Sequence, residues 1–111
     1  MPPKVRALLF DIHHAALGIQ SFMDGRTIDD LKSDLMLRSA VERQFEIIGE
    51  AMTRLRGEDA ATCDKISECQ RIIGFRNVLI HGYDTIDTDI TWKIIQEKLP
   101  VLLREVGDLL K

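Results

Sequence analysis

The chain has 111 residues, 45% of them hydrophobic and 30% charged, which is typical of a folded domain and excludes a disordered chain. Its formal net charge of −3 and its pI near 5.6 exclude a strongly basic protein that coats nucleic acid along its whole surface. Cys63 and Cys69 lack the spacing of a zinc site, no apolar run is as long as a membrane span, and no secretory signal is visible. We therefore expect one soluble cytoplasmic domain, residues 1–111, with two reduced thiols.

The first half of the chain predicts two amphipathic helices. Apolar residues recur at intervals of three and four from Val5 to Met23, which predicts a helix that ends near Gly25. Thr27 is a candidate N-cap, because two aspartates follow where a helix dipole favours negative charge. The apolar pattern then continues from Leu31 to Leu55 and predicts one long second helix, which stops at Gly57.

The second half predicts two or three shorter helices. Residues 59–64 are expected to form a connection, with Asp64 as the cap of a third helix that begins near Ile66 and runs into His81 and Gly82. After a turn at residues 84–87, Thr88 is expected to cap a fourth helix, and Pro100 to break or kink it before a last helix. Short links between successive helices place them antiparallel. The predicted fold class is all-α, an up-and-down bundle of four or five helices.

The end of the third predicted helix carries Arg76, Asn77, His81 and Tyr83 within eight residues. On a helical projection Asn77 and His81 lie one turn apart on a polar face, whereas Arg76 and Tyr83 fall inside the apolar arc. A guanidinium in that position needs a partner or a route to water. The candidates are the acids of the second helix, a second subunit and a bound phosphate. The acids in question are Glu42, Glu46 and Glu50.

These side chains have a structural and a catalytic interpretation. In the structural one, Arg76 forms an ion pair with a glutamate and His81 is a cap-like residue at a helix C-terminus. In the catalytic one, Arg76 binds a phosphate, His81 transfers a proton near neutral pH, and Asn77 orients a hydroxyl or the imidazole. No metal-ligand cluster is visible in the sequence, so phosphoryl transfer without a metal is the chemistry that this set indicates.

The stretch from Phe75 to Tyr83 resembles the Arg-x4-His-x-Tyr signature of the HEPN superfamily, and most closely that of the HepT-like ribonuclease toxins. The resemblance covers nearly the whole chain. Residues Val41 to Ala51 are similar to that family's second-helix motif, and residues Ile94 to Leu103 to its C-terminal part. The Arg-x4-His pattern alone is weak, but the added Asn, Tyr and Gly-Glu-Ala stretch make the similarity specific.

The resemblance implies a HEPN-like homodimer that cleaves RNA, such as tRNA or mRNA, without a cofactor or metal. It implies a type VII-like toxin–antitoxin pair, in which a minimal nucleotidyltransferase antitoxin adenylylates a tyrosine that here matches Tyr83. It also implies Arg76 and His81 as catalytic residues, supported by Asn77. Two alternatives stay open. One is a non-catalytic helical subunit that binds or regulates a nucleotidyltransferase, and the other is a plain dimerisation protein.

Overall fold

The computed structural model describes residues 1–81 and 87–111, with the side chains of all of these except Ile80 and His81. All regular structure in this part of the chain is helical, which confirms the predicted all-α class. The described residues form five helices of ten or more residues and two shorter ones. In chain order the helices are α1 Pro3–Met23, α2 Ile28–Ser33, α3 Leu35–Glu58, α4 Ala60–Asp64, α5 Cys69–His81, α6 Thr88–Glu97 and α7 Leu99–Leu109.

The two longest helices, α1 and α3, pack against each other in antiparallel orientation. Lys4 Nζ, at the start of α1, lies 2.8 Å from a carboxylate oxygen of Glu58, at the end of α3. Between these ends, both helices direct fully buried apolar side chains at the core, among them Leu9, Ile12, Ile19, Val41, Phe45, Ile48, Met52 and Leu55. Both helices are long, but no helix in residues 1–81 and 87–111 is long and apolar enough to cross a bilayer.

Helix α5 packs along the other side of α3, also antiparallel. Arg56 Nη1, near the end of α3, donates to Gln70 Oε1 at the start of α5 over 2.9 Å. Further along, the rings of Phe45 and Phe75 meet edge to face, with 5.2 Å between their centroids. This is a favourable geometry for two aromatic rings. The packing places the helix that carries Arg76 and Asn77 directly against the middle of α3.

The predicted second helix is two helices in the structure, with a break at Asp34. Thr27 caps α2 as predicted, and its side chain and that of Asp30 accept hydrogen bonds from each other's backbone N–H groups. Asp34 has an extended backbone (φ −96°, ψ 100°), and its carboxylate accepts from Leu37 N over 3.1 Å as the N-cap of α3. The expectation of one continuous helix is therefore wrong, because an aspartate within the periodic pattern caps a new helix instead of extending the old one.

The predicted connection at residues 59–64 is mostly the short helix α4. Asp59 caps it, since the Asp59 carboxylate accepts from Thr62 N and from the Thr62 hydroxyl. Those hydrogen bonds hold the pKa of Asp59 below its usual value. Asp64, which was expected to cap the third predicted helix, is instead the last residue of α4, and α5 begins five residues later. Ile66 is buried as predicted but precedes α5, which begins three residues later.

The boundaries around the last two helices are close to those predicted. Asp87 caps α6 by accepting from Asp89 N over 2.8 Å, so Thr88 is the first residue of the helix, not its cap. Pro100 ends the pattern as predicted, because α6 stops at Glu97 and α7 starts with the proline in its first turn. A proline is tolerated there since the N–H that it lacks has no helical partner.

Cys63 and Cys69 form a disulfide that links α4 to the start of α5. Both cysteines are buried. The expectation of two reduced thiols is therefore wrong. That expectation follows from the predicted cytoplasmic location, where thiols are usually reduced. The turn between α4 and α5, which the sequence did not predict, brings the two cysteine side chains together.

Candidate functional site

Helix α5 has a buried and an exposed face, and the motif residues lie on both. Gln70, Gly74 and Asn77 are exposed, and Ile72, Ile73 and Leu79 are buried, as the helical projection predicts. His81 is the last residue of α5. Its side chain, and Tyr83 as a whole, lie outside the described residues, so the structure tests neither of their predicted roles.

Arg76 is half-buried between α5 and α3, within the apolar arc where the sequence places it. Its side chain starts directly over Gly49, a buried glycine in the middle of α3. At the other end of the side chain, Nη1 donates to Asn77 Oδ1 over 3.2 Å. The Nε–H between these two points is buried and has no hydrogen-bond partner among the described residues.

The three acids of α3 that sequence analysis considered as partners do not pair with Arg76. Glu46 accepts from Arg43 over 3.2 Å, and Glu50 accepts from Arg54 over 3.0 Å, both within α3. In residues 1–81 and 87–111, Arg76 forms no ion pair. The predicted alternative of a structural Arg–Glu pair therefore has no support in the described part of the chain.

Glu42, the third of these acids, is half-buried on α3. Burial raises the pKa of its carboxyl group, the nearby Arg38 opposes that rise, and the negative charge of Glu46 adds to it. A carboxyl group in such surroundings is less ionised than a fully solvated one.

The arrangement around Arg76 leaves one buried donor, the Nε–H, without a partner among the described residues. A buried N–H group without a partner costs about 1–3 kcal/mol. A phosphate oxygen beside Nε would satisfy it with a charge-assisted hydrogen bond, which is stronger than a bond between neutral groups. Asn77 fixes the opposite edge of the guanidinium, so the free edge has a defined orientation. The described residues contain no cluster of side chains suited to hold a metal ion.

A groove of about 360 Å³ between α5 and α6 lies apart from these residues. Its floor is apolar and includes Ile72 and Phe75, and cationic side chains surround it. Two of these cations, Arg71 and Lys98, contact the Glu68 carboxylate at 3.7 and 3.3 Å. Neither Arg76 nor Asn77 lines the groove, which opens on the side of α5 away from Asn77.

Sequence reasoning missed Gly49 as part of the site. The available signal was a glycine at a buried position inside a strongly periodic helix, where glycine costs about 1 kcal/mol relative to alanine. Such a residue often marks a close approach of another segment. What approaches it could not be read from the sequence, because the register between α3 and α5 depends on their packing.

Comparison with known proteins identifies the family. The model of the family described as ribonuclease HepT-like matches residues 12–109. A protein of Methanocaldococcus jannaschii named as an RNase is 33% identical over 102 residues, which cover 92% of this chain and 93% of the relative. A second RNase-named protein of that organism is 34% identical over 112 residues, covering 100% of this chain and 92% of the relative.

A third relative comes from another archaeon. A protein of Thermococcus cleftensis named as ribonuclease HepT is 31% identical over 94 residues, which cover 85% of this chain and 84% of the relative. No solved structure was found to match the chain. The family match spans most of the sequence and includes the α3 and α5 segments around Arg76. The chain therefore belongs to the ribonuclease HepT-like family.

Proposed function

We propose that this chain is a metal-independent endoribonuclease and the toxin of a type VII-like toxin–antitoxin pair, with Arg76 and His81 as catalytic residues. The observation that carries the proposal is the state of Arg76, which has one guanidinium edge on Asn77 and a buried Nε–H unsatisfied in the described part of the chain. Within a ribonuclease family, the ligand that best fits this donor is a phosphate of RNA.

The proposed reaction begins at the ribose 2′-hydroxyl. His81 removes the hydroxyl proton, and the oxygen attacks the adjacent phosphorus, so that the bond from phosphorus to the 5′-oxygen breaks. The products are a 2′,3′-cyclic phosphate and a 5′-hydroxyl, once the leaving oxygen has received a proton. Arg76 stabilises the negative charge that builds up on the phosphate oxygens during the attack. An unperturbed imidazole, with a pKa of about 6.5, exchanges protons readily near neutral pH.

A homodimer supplies the second proton-transfer group in this proposal. One imidazole cannot easily act as base and acid in the same step, whereas a two-fold axis places the same residue of a second protomer at one site. The dimer also doubles the number of guanidinium groups near the RNA. That local doubling would let a chain of net charge −3 bind a polyanion at one place on its surface.

RNA cleavage by the purified protein tests the nuclease proposal. We expect the parent chain to cut labelled RNA in the presence of EDTA, and His81→Ala to lose about 100-fold or more of that rate. A matched control is His14→Ala, since His14 lies on α1 and stacks on Phe10, away from α5. Equal cleavage by His81→Ala and the parent would refute the assigned roles. No cleavage by the parent would favour the alternative of a non-catalytic subunit that binds a nucleotidyltransferase.

The antitoxin part of the proposal concerns Tyr83. We propose that a minimal nucleotidyltransferase adenylylates Tyr83, which adds bulk and negative charge two residues from His81 and so blocks RNA by steric hindrance and repulsion. Mass spectrometry after co-expression with a minimal nucleotidyltransferase of the proposed antitoxin type should show one added adenylate on Tyr83. Inhibition of the nuclease by that partner without any modification of Tyr83 would contradict this mechanism.

A further inference from the structure

We propose that Gly49 is a positioning residue for Arg76, because its missing side chain leaves the space in which the first carbons of the arginine side chain lie against α3. The inference deepens the proposed function, since it assigns to α3 a specific part in that site. It concerns the placement of Arg76, which can be measured with or without RNA.

The packing at Gly49 is closer than at the other described glycines. A Cβ atom built on Gly49 would overlap the Cβ atom of Arg76, and it would lie 2.5 Å from Arg76 Cγ and 3.4 Å from Cδ. The first three carbons of the arginine side chain therefore lie against the α3 backbone. By contrast, a Cβ atom on Gly57 in the same helix would meet nothing within 4 Å.

The overlap involves the rigid start of the arginine side chain, not its flexible end. A contact with a distal atom could be relieved by a change of rotamer, but the Cβ position is fixed by the α5 backbone. Any residue larger than glycine at position 49 therefore moves α5 away from α3, or turns it. Either movement carries the guanidinium with it and exposes Nε to water.

Arg76 packs on a turn inside α3. Gly49 and Thr53 both belong to this helix, and the hydroxyl of Thr53 donates to the Gly49 carbonyl over 2.9 Å. The surface that receives Arg76 is therefore helical backbone, and not a loop. A misplacement of about 1 Å in such a positioning contact lowers rates by about 100-fold.

A mutant cycle measures the placement without reference to RNA cleavage. In the parent background, Gly49→Ala should lower the melting temperature, because the added methyl group overlaps Arg76. In an Arg76→Gly background, the same substitution should raise the melting temperature, because the space is then empty and alanine is the better helix former. The control Gly57→Ala should shift the melting temperature in the same direction in both backgrounds. An equal shift from Gly49→Ala in both backgrounds would overturn the inference.

Cleavage assays test the consequence for the site. Gly49→Ala should cut RNA about 100-fold more slowly than the parent, while Gly57→Ala should retain the parent rate. A small molecule then separates positioning from general destabilisation. Ethylguanidinium should partly restore cleavage to Arg76→Gly, because it replaces the guanidinium and the Cγ and Cδ atoms, which lie against Gly49. It should fail to rescue the Gly49→Ala, Arg76→Gly double variant, in which the alanine methyl group occupies that passage.

The outcomes distinguish the two proposals. If the parent chain cuts no RNA but the melting temperature shifts have opposite signs, the placement of Arg76 by Gly49 stands and the nuclease proposal fails. If the parent cuts RNA and Gly49→Ala cuts equally fast, the positioning role fails and the nuclease proposal stands. If Gly49→Ala does not fold, the double variant decides, since it should fold when the overlap with Arg76 is the cause.

Discussion

The guanidinium of Arg76 has a positive charge and several N–H donors in a fixed planar geometry. The proposed site depends on that geometry as well as on the charge. Nη1 is occupied by Asn77 while Nε is left without a partner in the described part of the chain. A lysine at position 76 would keep the charge but offer one flexible ammonium group, which cannot donate to Asn77 and to a phosphate with the same geometry.

We therefore expect Arg76→Lys to lose most of the RNA cleavage of the parent, by about 100-fold, although the net charge is unchanged. The measurement is the single-turnover rate on a labelled RNA at saturating protein. Arg71→Lys is a matched control on the same helix, because Arg71 is exposed and lines the groove on the other side of α5. A rate for Arg76→Lys within a few fold of the parent would show that charge alone is sufficient.

The half-buried carboxyl group of Glu42 should make the stability of the fold depend on pH. Burial raises the pKa of its carboxyl group in the folded chain, so the folded state favours the protonated form. The contribution of Glu42 to the free energy of unfolding is then fully present below the usual glutamate pKa. It is lost as the pH rises through the raised value.

Glu42→Gln should therefore be more stable relative to the parent at neutral pH than at pH values below the usual glutamate range. Urea unfolding of both proteins across this pH range measures the difference. Glu97→Gln, at an exposed glutamate near the end of α6, is the control that should show no comparable trend. A difference between Glu42→Gln and the parent that does not change with pH would contradict the assignment.

At the scale of elements, aspartate side chains cap the start of three helices, α3, α4 and α6. Periodicity predicted most of the apolar face of the second helix correctly, although Leu35 in that pattern is exposed. It could not reveal the break at Asp34, because the apolar pattern continues through it. The break results from competition between the Asp34 carboxylate and the helical hydrogen-bond pattern for the Leu37 N–H. Side-chain carboxylates that accept from backbone N–H groups also make Asp59 the cap of α4 and Asp87, not the predicted Thr88, the cap of α6.

Asp34→Ala should accordingly destabilise the chain by about 1 kcal/mol, the usual loss for an N-cap. Asp34→Asn should lose much less, because the amide oxygen can still accept from Leu37 N. Chemical unfolding of the three proteins measures the difference, and circular dichroism checks that helix content is kept. If alanine at position 34 were neutral or stabilising, α2 and α3 would be better described as one helix that the aspartate only bends.

At the scale of the whole molecule, the sequence predicts the class of the fold but not the contacts between its helices. The all-α class and the position of Arg76 on the buried face follow from residue spacing alone, and the chain confirms both. The disulfide and the contact of Gly49 with Arg76 could not be predicted, because each joins residues whose distance depends on how helices pack. The spacing of apolar residues places Arg76 on one face of α5, whereas its contact with Gly49 on α3 determines the path of its side chain.

The proposed homodimer can be tested with mixtures of parent and His81→Ala chains. If each cleavage needs a His81 from both protomers, a mixed dimer with one His81→Ala chain is inactive. After subunit exchange at a one-to-one ratio, only about a quarter of the dimers contain two parent chains. At equal total protein concentration, the cleavage rate of the mixture should therefore be about a quarter of the parent rate. Independent subunits would give a half.

The same mixture made with His14→Ala in place of His81→Ala is the control, and it should keep full activity, since His14 lies on α1. Exchange can be followed by native mass spectrometry of chains that carry tags of different mass. Activity that falls only to a half after complete exchange would mean that one protomer holds all the groups needed for cleavage. In that case the acid that protonates the leaving oxygen would have to come from the same chain as the base.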